Sequence, residues 1–271
     1  MFFLGGCALR KFAIGVVLLS FAGPAFAADM ATKMPVKAPL PAAPTWSGCY
    51  AGLDAGGAWG RSNITSVDVV TATGLPVAAP NNVFLSQLDS PKLHPLGVSG
   101  GAEAGCNWQS GNLVAGVEAD LGYMGLRGSQ TGAGTFPAGG AALTTSNSVK
   151  TDWLFTARPR LGFASNNWLA YVTGGLAVTD IKYTESFSDA GGDNENAGVT
   201  KTKAGWVVGG GIEYALQRNW TAKIEYLHAD FGNVSTMGLI FAGAAPLGQS
   251  LTHNVPLSAD IVRLGLNYQF H

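Results

Sequence analysis

The chain has 271 residues, a net charge of -1 and 12% charged residues, where an average soluble domain has about 25%. That balance offers no basic surface for nucleic acid. Its 38 glycines argue against a helical protein, because each interior glycine costs a helix about 1 kcal/mol against alanine.

Arg10 and Lys11 lead into the apolar run FAIGVVLLSFA, followed by Gly23-Pro24 and then AFA at Ala25 to Ala27. A charged start, an apolar stretch and small residues at the end predict a signal peptide over 1–27, cleaved between Ala27 and Ala28. LGGC at Leu4 to Cys7 precedes the apolar run, the wrong order for lipoprotein processing. Residues 28–45, ADMATKMPVKAPLPAAPT, read as an extended Pro/Ala-rich tether. Beyond the signal peptide no segment reaches the roughly 20 apolar residues of a spanning helix.

From Trp46 to the C-terminus, 46–271, apolar and polar residues alternate with a period of two, which predicts strands. Three breaks are tight turns: SGN at Ser110 to Asn112, SNN at Ser165 to Asn167 and QRN at Gln217 to Asn219. Four breaks, at about 61–96, 125–149, 185–202 and 232–258, are long and read as polar or Gly-rich loops. The eight predicted strands cover roughly 48–60, 97–108, 113–124, 150–164, 168–184, 203–216, 220–231 and 259–270. An even number of antiparallel strands, with short turns at one end and long loops at the other, predicts an all-β, eight-stranded antiparallel up-and-down transmembrane β-barrel. In lipid every backbone polar group needs a partner, so the last strand must close on the first.

The faces follow from parity. Val262, Leu264, Leu266, Tyr268 and Phe270 share one face of the last strand, with Arg263, Asn267 and Gln269 on the other. The same division places Asp54, Glu103, Glu118, Asp120, Arg158, Arg160, Glu213, Lys223, Glu225 and Arg263 inside. An eight-stranded lumen is about wide enough to be filled by side chains, so an ion-paired filling is favoured over a pore lining or gate. The fifth strand is ambiguous in parity. Trp108, Trp168 and Trp220 sit beside short turns, and Trp59, Trp153 and Trp206 at the opposite strand ends. Trp153 and Phe163, like Trp206 and Leu216, lie ten residues apart, about 25 Å for a tilted strand and the height of an outer-membrane apolar band. These are expected to be two aromatic girdles.

Pro159 lies within the fourth strand, where a closed barrel has no edge to hide its missing donor, so a bulge or kink is expected. Cys49 and Cys106 fall near the same end of the first two strands and could be bridged, the alternative being two free thiols. His94 and His253 lie in predicted loops that could approach each other, but nothing fixes a metal or haem site, and neither metal nor cofactor is expected. SDAGGDNEN at Ser188 to Asn196 reads as a solvated acidic loop rather than a cation site. His228 with Asp230 is the one near pair of catalytic type, and no nucleophile belongs to it. No enzyme is predicted.

WSGCYAGLDAGGAWG at Trp46 to Gly60, GGGIEYAL at Gly209 to Leu216, NWTAKIEYLHADFG at Asn219 to Gly232 and the terminal VRLGLNYQF resemble the small outer-membrane β-barrel proteins of alphaproteobacteria. That family is similar in architecture to the OmpA transmembrane domain. The resemblance implies an outer-membrane protein with its loops extracellular and both termini periplasmic. It also implies an envelope-structural role, with contacts to membrane lipid, lipopolysaccharide and host or surface partners. A narrow porin-like channel is the alternative, and haem capture by the loops a third. Such barrels end on aromatics read by the outer-membrane assembly machinery; here Tyr268 and Phe270 fill that place, followed by His271.

Overall fold

A computed structural model of the chain describes residues 45–70, 80–217, 219–242 and 245–270. The expected signal peptide, all of the tether but Thr45, and His271 lie outside the described residues. The elements in chain order are β1 (Gly48–Asn63), β2 (Thr65–Val70), α1 (Asn81–Leu88), β3 (Lys92–Leu93), β4 (Leu96–Ser110), β5 (Leu113–Met124) and β6 (Arg127–Thr135). There follow β7 (Ala142–Lys150), β8 (Trp153–Ser165), β9 (Trp168–Asp189), β10 (Asp193–Ala215), β11 (Trp220–Ala242) and β12 (Ala245–Phe270). Among the described residues no helix is long and apolar enough to cross a membrane.

Eight strands close a ring in the order β1, β4, β5, β8, β9, β10, β11, β12 and back to β1, each antiparallel to its neighbours. The last strand pairs with the first from Phe270 opposite Cys49 to Ser258 opposite Arg61. This closure satisfies the backbone of the terminal strand, which explains its strict alternation up to the final residues. The tight turns suit the strand twist: Gly111 and Asn166 take the left-handed conformation, with φ of 61° and 51°, as primed two-residue hairpins require.

Among the described residues, much of each long break is strand, with a short helix in the first, rather than loop. The β9–β10 and β11–β12 hairpins run on to Asp189/Asp193 and Ala242/Ala245. β6 and β7 form a hairpin whose second strand pairs with the end of β9, and β2 pairs with the beginning of β12. The result is a sheet extension beyond the membrane-spanning ring, with α1 packed into it through Leu85. These segments read as loops because they are rich in Thr, Ser and Asn. Their period of two survives, however: Leu251, His253, Val255 and Leu257 all point inward. An antiparallel sheet facing water carries polar residues outside, so polarity marks the departure from lipid rather than the end of the strand.

β9 resolves the ambiguous parity. Leu169, Tyr171 and Thr173 face inward, while Trp168, Val172 and Leu176 are exposed. Trp108, Trp168 and Trp220 are exposed at the short-turn end, where Trp168 lies against Tyr214 and Trp220 against Tyr268, which in turn meets Phe270. At the other end Trp59 and Trp206 are exposed and Trp153 is half-buried. Between these levels the outer face is apolar, with Leu53, Val117, Leu161, Ile212, Ile224 and Leu264 exposed.

Pro159 makes neither bulge nor register shift. The β8–β9 register holds from Ala157 opposite Leu176 to Arg160 opposite Thr173, and only the pairing between them is missing. The gap faces Gly174 and Gly175, and the Thr173 hydroxyl donates to the Pro159 carbonyl at 2.9 Å. Glycines opposite the proline absorb the irregularity without displacing the strand. On the other side Pro159 stays in register with Val117.

The interior is layered. A small apolar group of Trp46, Val114, Ala164, Leu169, Tyr171 and Ala215 lies at the short-turn end. The charged residues follow, and above them comes an apolar layer that includes Leu154, Ile181, Leu227, Phe231, Leu257 and Ile261. Beyond the charged residues that parity places inside, the inner faces of β9, β11 and β12 turn apolar on the way to the extension.

Candidate functional site

All ten charged residues assigned to the interior are buried there: Asp54, Glu103, Glu118, Asp120, Arg158, Arg160, Glu213, Lys223, Glu225 and Arg263. The ladder places Glu118 opposite Arg158, Glu213 opposite Lys223 and Glu225 opposite Arg263. Cross-strand pairing of opposite charges stabilises a sheet. Glu103 and Asp120, like charges directly opposed, are kept compatible by cations from the far wall. Lys223 Nζ lies 2.6 Å from Glu103, and Arg263 Nη1 lies 3.2 Å from Asp120.

The pairs join into one network. Arg158 Nη2 donates to Glu118 at 2.6 Å and Asp120 at 2.8 Å, while its Nη1 reaches Glu225 at 3.2 Å. Arg160 bonds Glu118, Glu213 and Asn107. Arg263 holds Glu225 at 2.7 Å and also approaches Asp54, at 3.4 Å. Charges taken from water at this depth are tolerated only when paired and hydrogen-bonded, and these largely are.

Several members were missed in the sequence. Tyr50 donates to Glu118 at 2.6 Å and Tyr171 to Glu225 at 3.0 Å. Thr156 donates to Asp120, and Thr221 to Glu213. The Arg160 guanidinium lies 4.9 Å from the centroids of both the Tyr50 and Tyr171 rings, in cation–π range. Their inward parity was readable, but an uncharged side chain gives no sign that it will join an ion-pair network. Two interior glycines make room for the rings: a Cβ on Gly105 would fall 2.5 Å from the Tyr50 hydroxyl, and one on Gly211 would fall 2.7 Å from that of Tyr171. The cavity beside Asp54, Asp120 and Arg263 holds about 10 Å³, roughly the space of one water.

Cys49 and Cys106 are direct cross-strand partners and form a disulfide between β1 and β4. His228 pairs with Asp260 at 2.7 Å rather than with Asp230, and Tyr226 donates to the same carboxylate at 2.6 Å.

A second polar group lies in the extension, outside the membrane-spanning ring. His253 is fully buried among Asp89, Glu185 and Glu195, whereas His94 is exposed, so the two histidines do not share a site. Glu195 belongs to the stretch read as a solvated loop, yet it is buried; β10 begins at Asp193 and alternation turns Glu195 inward. Burial, reinforced by the carboxylates of Glu195 and Asp89, pushes the Glu185 carboxyl up to about 9. Burial alone would lower the His253 pKa, but hydrogen bonds to Asp89 and Glu195 outweigh it and push the imidazole up to about 9. Ser66, His253 and Asp89 are not a catalytic triad. The hydroxyl and the carboxylate both face Nδ1, at 2.9 and 3.2 Å, where a nucleophile and its orienting acid need opposite ring nitrogens.

Residues 15–270 match the family model of the outer membrane protein beta-barrel domain. The 31 kDa outer-membrane immunogenic protein of Brucella melitensis biotype 1 is 34% identical, covering 97% of this chain and 100% of its own. The 25 kDa outer-membrane immunogenic protein of Brucella abortus biovar 1 is 27% identical, covering 95% and 96%. Among solved structures, the outer membrane protein OprG from Pseudomonas aeruginosa aligns with a TM-score of 0.42 at 11% identity, over 83% of this chain and 97% of that one.

Proposed function

The chain belongs to the outer membrane protein β-barrel domain family, and from that premise we propose that it is a structural envelope protein, a filled barrel whose work is done by its outer surface and its extension. The observation that carries this reading is the sealed interior. The ion-paired network occupies the lumen from wall to wall, and the apolar layer around Phe231, Leu227 and Ile181 lies across it. An ion moving along the axis would have to break the network and then cross a mainly apolar layer, which costs several kcal/mol per unpaired charge.

In this reading the sheet extension stands outside the cell, and the short turns and both termini face the periplasm. The tryptophans of the two girdles rest at the lipid interfaces, where an apolar ring with a polar edge is favoured. Tyr268 and Phe270 present the closing strand to the assembly machinery. The extension meets lipopolysaccharide and surface partners, and relatives bearing the name immunogenic are consistent with exposed segments of this kind. Catalysis has no place in the proposal, since the Ser66 hydroxyl beside His253 donates to the Asp89 carbonyl and shares Nδ1 with the Asp89 carboxylate.

The test is conductance of the refolded mature chain in a planar bilayer. A silent bilayer, with folding confirmed by gel mobility before and after heating, is the expected result. Discrete steps altered by Glu118→Gln or Arg158→Gln would replace this reading with that of a narrow channel.

A further inference from the structure

We propose that Glu185, Glu195 and His253 form a binding site for one divalent transition-metal ion of the zinc class, inside the sheet extension. The proposal is independent of whether the barrel conducts.

The geometry is that of a ligand set. One ligand atom from each residue, contributed by β9, β10 and β12 respectively, lies within 4.8 Å of the other two. His253 Nε2 is 3.2 Å from Glu195 Oε1 and 3.9 Å from Glu185 Oε2. In a tetrahedral site with bonds of about 2.0–2.2 Å, neighbouring ligand atoms are roughly 3.4 Å apart. Small side-chain adjustments bring all three to that spacing.

Glu185 supplies the independent sign of a ligand. Its side chain is fully buried, and neither carboxylate oxygen makes a hydrogen bond of acceptable geometry among the described residues. The backbone N–H of Ala197, its partner across the ladder, lies beside the group and favours its charged form. Buried carboxylates are normally paired, hydrogen-bonded or bound to metal. This one is aimed at Nε2 of a histidine that already has a second carboxylate beside it.

The histidine is oriented as a ligand should be. The Ser66 hydroxyl spends its hydrogen on the Asp89 carbonyl at 2.6 Å, so its oxygen accepts at His253 Nδ1, 2.9 Å away. Asp89 Oδ2 faces the same nitrogen at 3.2 Å. Two acceptors on Nδ1 hold a proton there, and Nε2, which faces Glu185 and Glu195, is the nitrogen that would give up its proton to a metal. A carboxylate behind the distal nitrogen is the usual support of a metal-bound histidine. Asp89 is itself held by Asn147, which donates to its Oδ1 at 2.8 Å, and Asn147 accepts from Tyr183.

One imidazole with two carboxylates suits zinc or manganese, whereas calcium and magnesium sites are built from oxygen alone. Space is reserved for the carboxylate too: a Cβ on Gly238 would fall 1.7 Å from Glu195 Oε1. Asp89 caps α1 and Ser66 lies in β2. An ion here would therefore fasten the helix and the edge strand to both long hairpins.

The experiment uses the untagged mature chain, refolded with micromolar Zn²⁺, freed of loose metal by gel filtration and analysed for metal by mass spectrometry. About one zinc per chain is expected. Co²⁺ substitution should give visible absorption saturating at one equivalent. Glu185→Gln and His253→Gln should each weaken retention by roughly 100-fold, and Gly238→Ala should weaken it by displacing Glu195. Asp152→Asn, a carboxylate elsewhere, should leave it unchanged. Wild-type protein that is folded by heat-dependent gel mobility yet retains less than about a tenth of an equivalent of zinc would overturn the proposal. So would Glu185→Gln protein that binds as well as wild type. If the variants misfold, X-ray absorption of the wild-type zinc complex decides: a single imidazole among oxygen ligands supports the site, and all-oxygen or multiple-imidazole coordination refutes it.

Discussion

Arg158 on β8 and Glu225 on β11 meet across the interior at 3.2 Å, although the two strands are separated by two others in the ring. The contact is a strut between walls rather than a neighbour pair, and Arg158 Nη2 at the same time holds Glu118 and Asp120 of β5. Removing it takes a shared cation from three buried carboxylates, leaving Glu118 to Arg160 and Lys223, and Asp120 and Glu225 to Arg263. Replacing Arg158 with Met is expected to cost about 3–5 kcal/mol, the usual penalty for breaking a buried pair from one side. Denaturant unfolding in lipid vesicles, followed by tryptophan fluorescence, measures it. A loss below about 1 kcal/mol would show that water reaches the network.

The disulfide joins residues 57 positions apart. In the chain-entropy model a loop of that size contributes about 4 kcal/mol by restricting the unfolded chain. Reduction, or the double change Cys49→Ser with Cys106→Ser, should lower the unfolding midpoint while leaving the folded gel mobility intact. Unfolding curves with and without reductant give the difference directly.

Lipid contact separates two exposed apolar residues that look alike on the surface. Leu264 lies mid-strand between the girdles, whereas Met237 lies in the extension, opposite Thr252. Arginine at a mid-membrane, lipid-facing position costs about 2–4 kcal/mol, so Leu264→Arg should sharply lower folding yield and stability in vesicles. Met237→Arg should change stability by no more than about 0.5 kcal/mol. Equal effects at both sites would contradict the placement of the membrane.

Leu85 anchors α1 to a separate apolar cluster with Phe136, Leu143, Phe187, Ile240 and Leu251. Leu85→Ala should remove about 2–4 kcal/mol of packing, felt locally. Hydrogen exchange is expected to quicken in α1 and β2 and to stay unchanged in the β5–β8 ladder. Uniform acceleration would mean that extension and ring unfold as one unit.

Sequence alone determined the ring. Alternation of period two, alternating short and long connections, and tryptophans at strand ends all report on a chain that must satisfy its backbone in lipid, and that demand acts on every residue in turn. The ten interior charges were legible for the same reason: each lies on the wrong face for lipid, and parity is a local property. What tertiary structure decided was everything that depends on which distant residues face each other. Tyr50 meets Glu118, Arg158 meets Glu225 and Pro159 meets paired glycines because ring closure and strand register bring them together, and no local pattern carries that information. The extension was hidden because a strand facing water is as polar as a loop. His253 illustrates the limit most plainly. In the chain it is a lone histidine in a Thr/Asn-rich stretch; in the fold, three carboxylates, from the C-terminal cap of α1, from β9 and from β10, converge on it.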